Sequence, residues 1–468
     1  MHRFRLMALA VIIVNLAAAL GLGRQTTLAL MAPNSHRSRL QPNSLGAPMI
    51  PSNPDAFLNA LFQAAVAASH PAQTLAQYLP EDRSGKALVI GAGKGAAAMA
   101  SAFEKHWQGP VRGLVVTRYE HGESCQQIEV IEAAHPVPDA QGTLAAEKTL
   151  ALIDSAQADE QIFCLLSGGG SSLLSLPAPG ISLQQKQAVN KALLRCGASI
   201  DEINCVRKHL SAIKGGRLAL RCGERSVTTY AISDVPNDSP DVIASGPTVG
   251  DPSTRQQASA ILAKYNIAVP DTIAQWLANP ESETPSADEL GQHHHYHLIA
   301  TPYDALEAAA KLAKQHKVEP LVLGDTIEGE ASEVAKVFAG IARFTAKHNQ
   351  PLAKPCVILS GGETTVTVKG SGRGGRNAEF LLSLFHDLQG HDGIYALACD
   401  TDGIDGTEDN AGASFGPDTF KAAQIKGLKS ADYLANNDGY TFFKQLDKLI
   451  ITQPTRTNVN DFRAILLL

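Results

Sequence analysis

The sequence predicts an α/β protein of more than one domain, and three observations carry that reading. Short apolar runs feed directly into glycine-rich loops at residues 87–96 (ALVIGAGKGA), 162–172 (IFCLLSGGGSS) and 357–364 (VILSGGET), as strands buried on both faces of a parallel sheet do. Stretches with helical spacing alternate with these runs, the pattern of strands crossed over by helices. At 468 residues the chain also exceeds one ordinary core, which suggests two or three domains.

Composition narrows the function classes. A hydrophobic content of 44% with a formal charge of -6 describes a soluble globular protein and points to neither nucleic acid nor membrane as a partner. Local lysines and arginines can still bind an anionic ligand, because steering follows the local field, and self-association stays open. The seven cysteines have no CxxC or zinc-like spacing and read as reduced core residues of a cytoplasmic protein. His293, His294, His295 and His297 are expected to form a solvated interdomain loop, since they lack a second ligand group at a defined spacing. At the amino terminus, Arg3 and Arg5 precede an apolar run over 6–22 with the charge and length of a signal-peptide core. Residues 33–48 read as unfolded, and Met49 stands just before the first convincing helix. The expected organisation is therefore a non-native or disordered extension over 1–48, an N-terminal domain over 49–290 and a C-terminal domain over 291–468.

Taken in order, residues 53–68 carry Phe57, Leu58, Leu61, Phe62, Ala65 and Val66 at i, i+3, i+4 spacing, an amphipathic helix capped by Asn53 with Pro54 in its first turn. It is expected to pack on the sheet that residues 87–90 begin. The loop Gly91-Ala92-Gly93-Lys94-Gly95-Ala96 follows that strand and opens an alanine-rich helix. Its spacing meets the GxGxxA dinucleotide fingerprint, but the next strand ends in Thr117-Arg118 where a ribose-binding acid belongs. No GxxxxGK[ST] occurs. A lysine in a glycine loop at a helix start suits an anionic substrate or a transferring phosphoryl group.

His135, in a rigid connection with two prolines, reads equally well as a cleft residue or a structural one. Gly168, Gly169 and Gly170, with Ser167, Ser171 and Ser172, form a candidate anion cradle at a strand's carboxyl end, with a tight turn that binds nothing as the alternative. Ser182 with Gln185, and Ser199 with Glu202, predict capping boxes for two helices. The second leads through Lys208 to Lys214 and two glycines, either a solvated charged face or part of the binding site. Asp234, directly after the strand at 228–232, is a candidate Mg²⁺ ligand.

Strands at 297–300 and 320–323 and helices at 303–315 and 330–346 predict another α/β layer. The loop at 370–379 holds Arg373, Arg376 and Asn377 among four glycines at a helix start, as a phosphate clamp requires. The strand at 394–399 leads into Asp400, Asp402 and Asp405, which lack the glutamate of an EF-hand and suit magnesium or a hydroxyl group.

The set GAGKGAAAM, HPVPD, LLSGGGSSLL, RKHLSAIKGGRLA, SDVPNDSPDVIASGPT, GGETTV, GRGGRNAE and TDGIDG, closing with PTRTNVNDFRA, resembles glycerate 2-kinases of the MOFRL type from about residue 55 to 462. The resemblance implies two Rossmann-like α/β domains with the active site in the cleft between them. It also implies ATP-dependent phosphorylation of D-glycerate to 2-phosphoglycerate with Mg²⁺. By the same resemblance, Lys94 and Arg376 are the catalytic residues. Mg²⁺ is then expected near Asp234 or Asp400, with the cradle that Gly93 and Gly95 adjoin, together with Lys208 and Lys214, holding the acceptor carboxylate or product phosphate. Members of this family also carry the label hydroxypyruvate reductase, which leaves an NAD(P)H-dependent reductase as the alternative and a non-catalytic sugar-phosphate binder as a third reading.

Overall fold

The computed structural model describes residues 52–468, so the signal-like run and the expected start at Met49 lie outside the described residues. The strands, in chain order, are β1 (Lys86–Ala92), β2 (Val111–Arg118), β3 (Ile128–Ala133), β4 (Glu160–Leu166), β5 (Val227–Ile232), β6 (His294–Ala300), β7 (Glu319–Gly324), β8 (Glu328–Glu330), β9 (Cys356–Ser360), β10 (Glu363–Thr365), β11 (Ile394–Asp400), β12 (Gly412–Phe415), β13 (Leu449–Ile450) and β14 (Asp461–Leu467). One sheet has the order β3-β2-β1-β4-β5-β6, parallel throughout. This is the doubly wound order, and its direction reverses between β1 and β4, where ligands of such sheets collect beyond the strand ends. The loops carrying Lys94 and the triple glycine leave those two strands.

The second sheet runs β13-β12-β11-β14-β9-β7. It is mixed: β7 and β9 are parallel, while β14 lies antiparallel to both β9 and β11. That central strand, Asp461–Leu467, is buried along its whole length. Its register sets Asp461 opposite Asp400 and Arg463 opposite Ser360.

Two placements differ from expectation. The histidine segment is not an interdomain loop but β6, the edge of the first sheet, so residue 290 falls before that sheet's last strand. An edge strand is only half buried and tolerates polar side chains on its open side. The helix Pro54–Ser69, capped by Asn53 as expected, packs chiefly on the helix Pro302–Gln315 and on β11 and β14 rather than on β1. Its buried stripe includes Leu61 and Phe62, and the Phe62 ring lies 5.9 Å from that of Phe462. One apolar cluster therefore joins Val89, Phe163 and Tyr230 of the first sheet to Leu359, Leu397 and Phe462 of the second. Both expected capping boxes form.

Five cysteines are buried and Cys125 is half-buried against the main apolar cluster, while Cys196 is exposed, so the core reading fails for Cys196. Among the described residues, no helix is long and apolar enough to cross a membrane.

Candidate active site

The loop after β1 is built by close backbone approach. At Gly93 φ is +141°, and a Cβ there would lie 2.1 Å from the Ser167 hydroxyl, so only glycine lets the β1 and β4 loops nest. Lys94 N–H donates to the Gly168 carbonyl at 2.8 Å and Gly95 N–H to Ser167 Oγ at 2.9 Å. These bonds correct part of the cradle reading. Ser167 is fully buried and spends its oxygen on the neighbouring loop, as do the amides of Lys94 and Gly95. What the loop presents outward is the Lys94 side chain.

That side chain crosses to the second lobe, where Nζ meets Asp402 Oδ2 at 2.5 Å. Arg376, at the start of the helix Arg376–Leu388, reaches the same cluster. Its Nε donates to Asp461 at 2.7 Å, Nη1 to Glu363 at 2.7 Å and Nη2 to Asp400 at 2.8 Å. Asp400 ends β11 and Asp461 opens β14, paired strands of the second sheet, while Glu363 opens β10, which pairs with β8 in a separate two-stranded sheet, so strand ends bring together residues far apart in sequence. Asp234, just beyond β5, approaches from the first lobe and accepts from Asn458 Nδ2 at 3.0 Å. A Cβ on Gly168 would lie 2.1 Å from Asp234 Oδ2, so this glycine is what admits that contact.

The charges do not balance. Asp234, Glu363, Asp400, Asp402, Asp405 and Asp461 outnumber Lys94, Arg376 and Arg463, and the titrations respond accordingly. Burial, then Glu363, pushes Asp234 up to about 7. Burial and the neighbouring Asp402 hold Asp400 well above the carboxylate range, and burial raises Asp405 to about 6. Burial also opposes the charge on Asp402, but Lys94 overrides it and brings that carboxyl to about 2. Burial opposes the cations too, yet Asp402 and Asp400 raise Lys94, and Asp461 and Asp400 raise Arg376 well above its ordinary value.

Several expected site residues have other partners. Lys208 is buried between Asp241 at 2.9 Å and Asp251 at 3.3 Å, a structural pair. Arg373 is exposed, paired with Glu408 at 2.5 Å and lying 4.2 Å over the Tyr440 ring; its guanidinium is held by these groups and not by the acids that hold Arg376. Asn377 is buried and donates to Asp461 at 2.8 Å, positioning that acid. Gly169, Ser171, Ser172 and Lys214 line a separate cavity of about 190 Å³, and Gly170 is buried beneath it, where a Cβ would meet the Ala92 carbonyl. His135 lines the same cavity, so of its two readings the cleft one fits.

Sequence reasoning overlooked Asp461, Asn458 and Lys186. For Lys186 a signal existed: it lies three and seven residues before Val189 and Leu193 on the buried face of the helix Leu183–Arg195.

Residues 57–278 match the family described as Domain of unknown function (DUF4147), and residues 356–461 match the MOFRL family. The chain is 38% identical to the D-glycerate 2-kinase of Thermotoga maritima over 85% of this chain and 94% of that protein. It is 48% identical to an Agrobacterium vitis protein provisionally named a hydroxypyruvate reductase, over 88% of this chain and 94% of that protein. The crystal structure of the T. maritima glycerate kinase superposes with a TM-score of 0.81 at 36% identity, covering 88% of this chain and 99% of that one. With its DUF4147 and MOFRL segments in one fold, the chain belongs to the glycerate 2-kinase family.

Proposed function

We propose that this protein is an ATP-dependent D-glycerate 2-kinase with Lys94 and Arg376 as its catalytic cations. The observation that carries this reading is the convergence of an ammonium from one lobe and a guanidinium from the other on the Asp400–Asp402 corner. Phosphoryl transfer needs positioning and charge neutralisation more than covalent chemistry. In the transfer, the bond from the γ-phosphorus to the ADP oxygen breaks, a bond to the glycerate 2-hydroxyl oxygen forms, and the hydroxyl proton is released. Lys94 and Arg376 leave their carboxylate partners in part to meet the charge on the moving group.

The acids fit a divalent cation. They are hard oxygen donors in excess of the local cations, and the raised Asp234 and Asp400 are those an added positive charge would return to their ionised form. Mg²⁺ suits a site with few protein ligands, since it keeps waters and shares its remaining positions with phosphate oxygens. Asp234 and Asp400 would hold it, where it supplies neutralisation of the nucleotide phosphates. The seven unpaired cysteines support work in a reducing, cytoplasmic setting.

The name given to the Agrobacterium relative raises the reductase reading. Against it, β2 ends in Arg118 where an acid would bind the dinucleotide ribose, and Lys94 occupies the fingerprint loop. Purified protein supplied with D-glycerate, ATP and Mg²⁺ is expected to release ADP and form 2-phosphoglycerate. NADH oxidation with hydroxypyruvate and no ADP release would reverse the assignment.

A further inference from the structure

Beside the Lys94 loop the first lobe encloses a second concentration of charge that the acidic cluster does not neutralise. Lys186, Arg207 and Lys214 all line the cavity of about 190 Å³. Lys186 is 8% exposed and its Nζ has no hydrogen-bond partner. Lys214 is 1% exposed and donates only to the carbonyls of Leu174 and Ala244, at 3.2 and 3.4 Å. Arg207 donates through Nε to Asn190 Oδ1 at 3.1 Å.

Among the described residues none of the three is ion-paired. Burial, reinforced by Arg207, brings Lys186 down to about 7, and burial, reinforced by Lys186 and Arg207, carries Lys214 well below the lysine range. His135, the other titratable group facing the cavity, is lowered to about 3 by burial and then by Lys94, so it adds no charge. Buried cations normally occur paired. Leaving these unpaired costs stability, which a fold keeps when a ligand supplies the anion.

The cavity adjoins the Lys94 loop. Gly169 lines it, and a Cβ on Gly169 would lie 2.9 Å from the His135 ring and 3.4 Å from Lys94 Cγ. The volume is below the roughly 300–1,000 Å³ typical of drug-sized ligands, which suits a three-carbon acid and not a nucleoside triphosphate. Leu183 and Pro138 supply apolar wall for its carbons.

We propose that Lys186, Arg207 and Lys214 receive the carboxylate of the acceptor acid in this cavity, directing its 2-hydroxyl toward Lys94. This deepens the kinase reading and rests on it for the identity of the acid. Lys186 is a specificity residue of that pocket: it touches the carboxylate and not the transferring group.

The test is isothermal titration of the full chain with D-glycerate and, separately, with ATP and Mg²⁺, comparing wild type with Lys186→Met. Loss of one charge-assisted hydrogen bond is expected to weaken D-glycerate binding by roughly ten- to hundredfold and leave ATP binding unchanged. A carboxylate bound beside Lys186 favours its charged form. Wild type near about pH 8 should therefore take up a proton on binding, seen as a dependence of the heat on buffer ionisation enthalpy, and the variant, left with Lys214 alone, should take up less.

Because the substitution removes a buried, unpartnered amine whose proton folding strips at a cost, the variant should unfold at a higher temperature than wild type, a result that separates lost binding from misfolding. Unchanged D-glycerate affinity, or weakening of ATP binding in its place, overturns the proposal. The two readings fail separately. D-glycerate binding that depends on Lys186 without ADP release sinks the kinase and spares the pocket, whereas ADP release with wild-type KM for D-glycerate in the variant does the reverse.

Discussion

At the scale of single residues, Asp461 holds the second lobe's half of the site together. It is 2% exposed and accepts from Arg376, Asn377, the Thr364 amide and Arg463. Asp461→Ala would leave the buried Arg463 without its ion-pair partner and Arg376 with two of its three, and urea unfolding should show a loss of roughly 3–5 kcal/mol. A loss below about 1 kcal/mol would mean that the arginines find other partners. Lys94 and Arg376 were legible in the sequence because glycines surround them and open a helix. Asp461 was not, because it heads an otherwise largely apolar strand, and Glu363 and Asp400, which share Arg376 with it, come from other strands. Lys208 and Arg373 show the converse failure. Their type and position resemble those of binding residues, but Asp241, Asp251 and Glu408 already neutralise them, and pairing across tens of residues leaves no periodic trace.

Among the elements, the helix Pro54–Ser69 shows what periodicity does and does not specify. Its stripe, its Asn53 cap and its first-turn proline set its existence and its limits. They do not choose between two sheets that both offer an apolar face, and it settled on β11, β14 and the helix Pro302–Gln315. Phe62, fully buried against Phe462, is the test of this packing. Phe62→Ala should cost about 3–5 kcal/mol. Because the cluster is continuous between the sheets, the loss should appear as one lowered transition. Two separated transitions would show that the helix stabilises one lobe alone. The alternation of strands and helices was likewise readable, whereas β14 and the mixed direction of its sheet were not, since an apolar run carries no sign of parallel or antiparallel pairing.

Over the whole molecule, chemistry is divided between lobes. The first contributes Lys94, Asp234 and the cationic cavity from the reversal point of a doubly wound sheet. The second contributes Arg376 and most of the acids. The Lys94–Asp402 ion pair and the Asp234–Asn458 hydrogen bond close the seam between them, so neither lobe alone carries both cations of the proposed transfer.

The most direct test of this division is kcat for ADP release at saturating ATP and D-glycerate, measured for Lys94→Met, Arg376→Met and the double variant. If the two cations meet charge on one group in the transition state, each single variant should fall by about a hundredfold or more, with the double variant falling by less than the product of the two. A single variant that keeps the wild-type kcat and raises only KM would contradict the account.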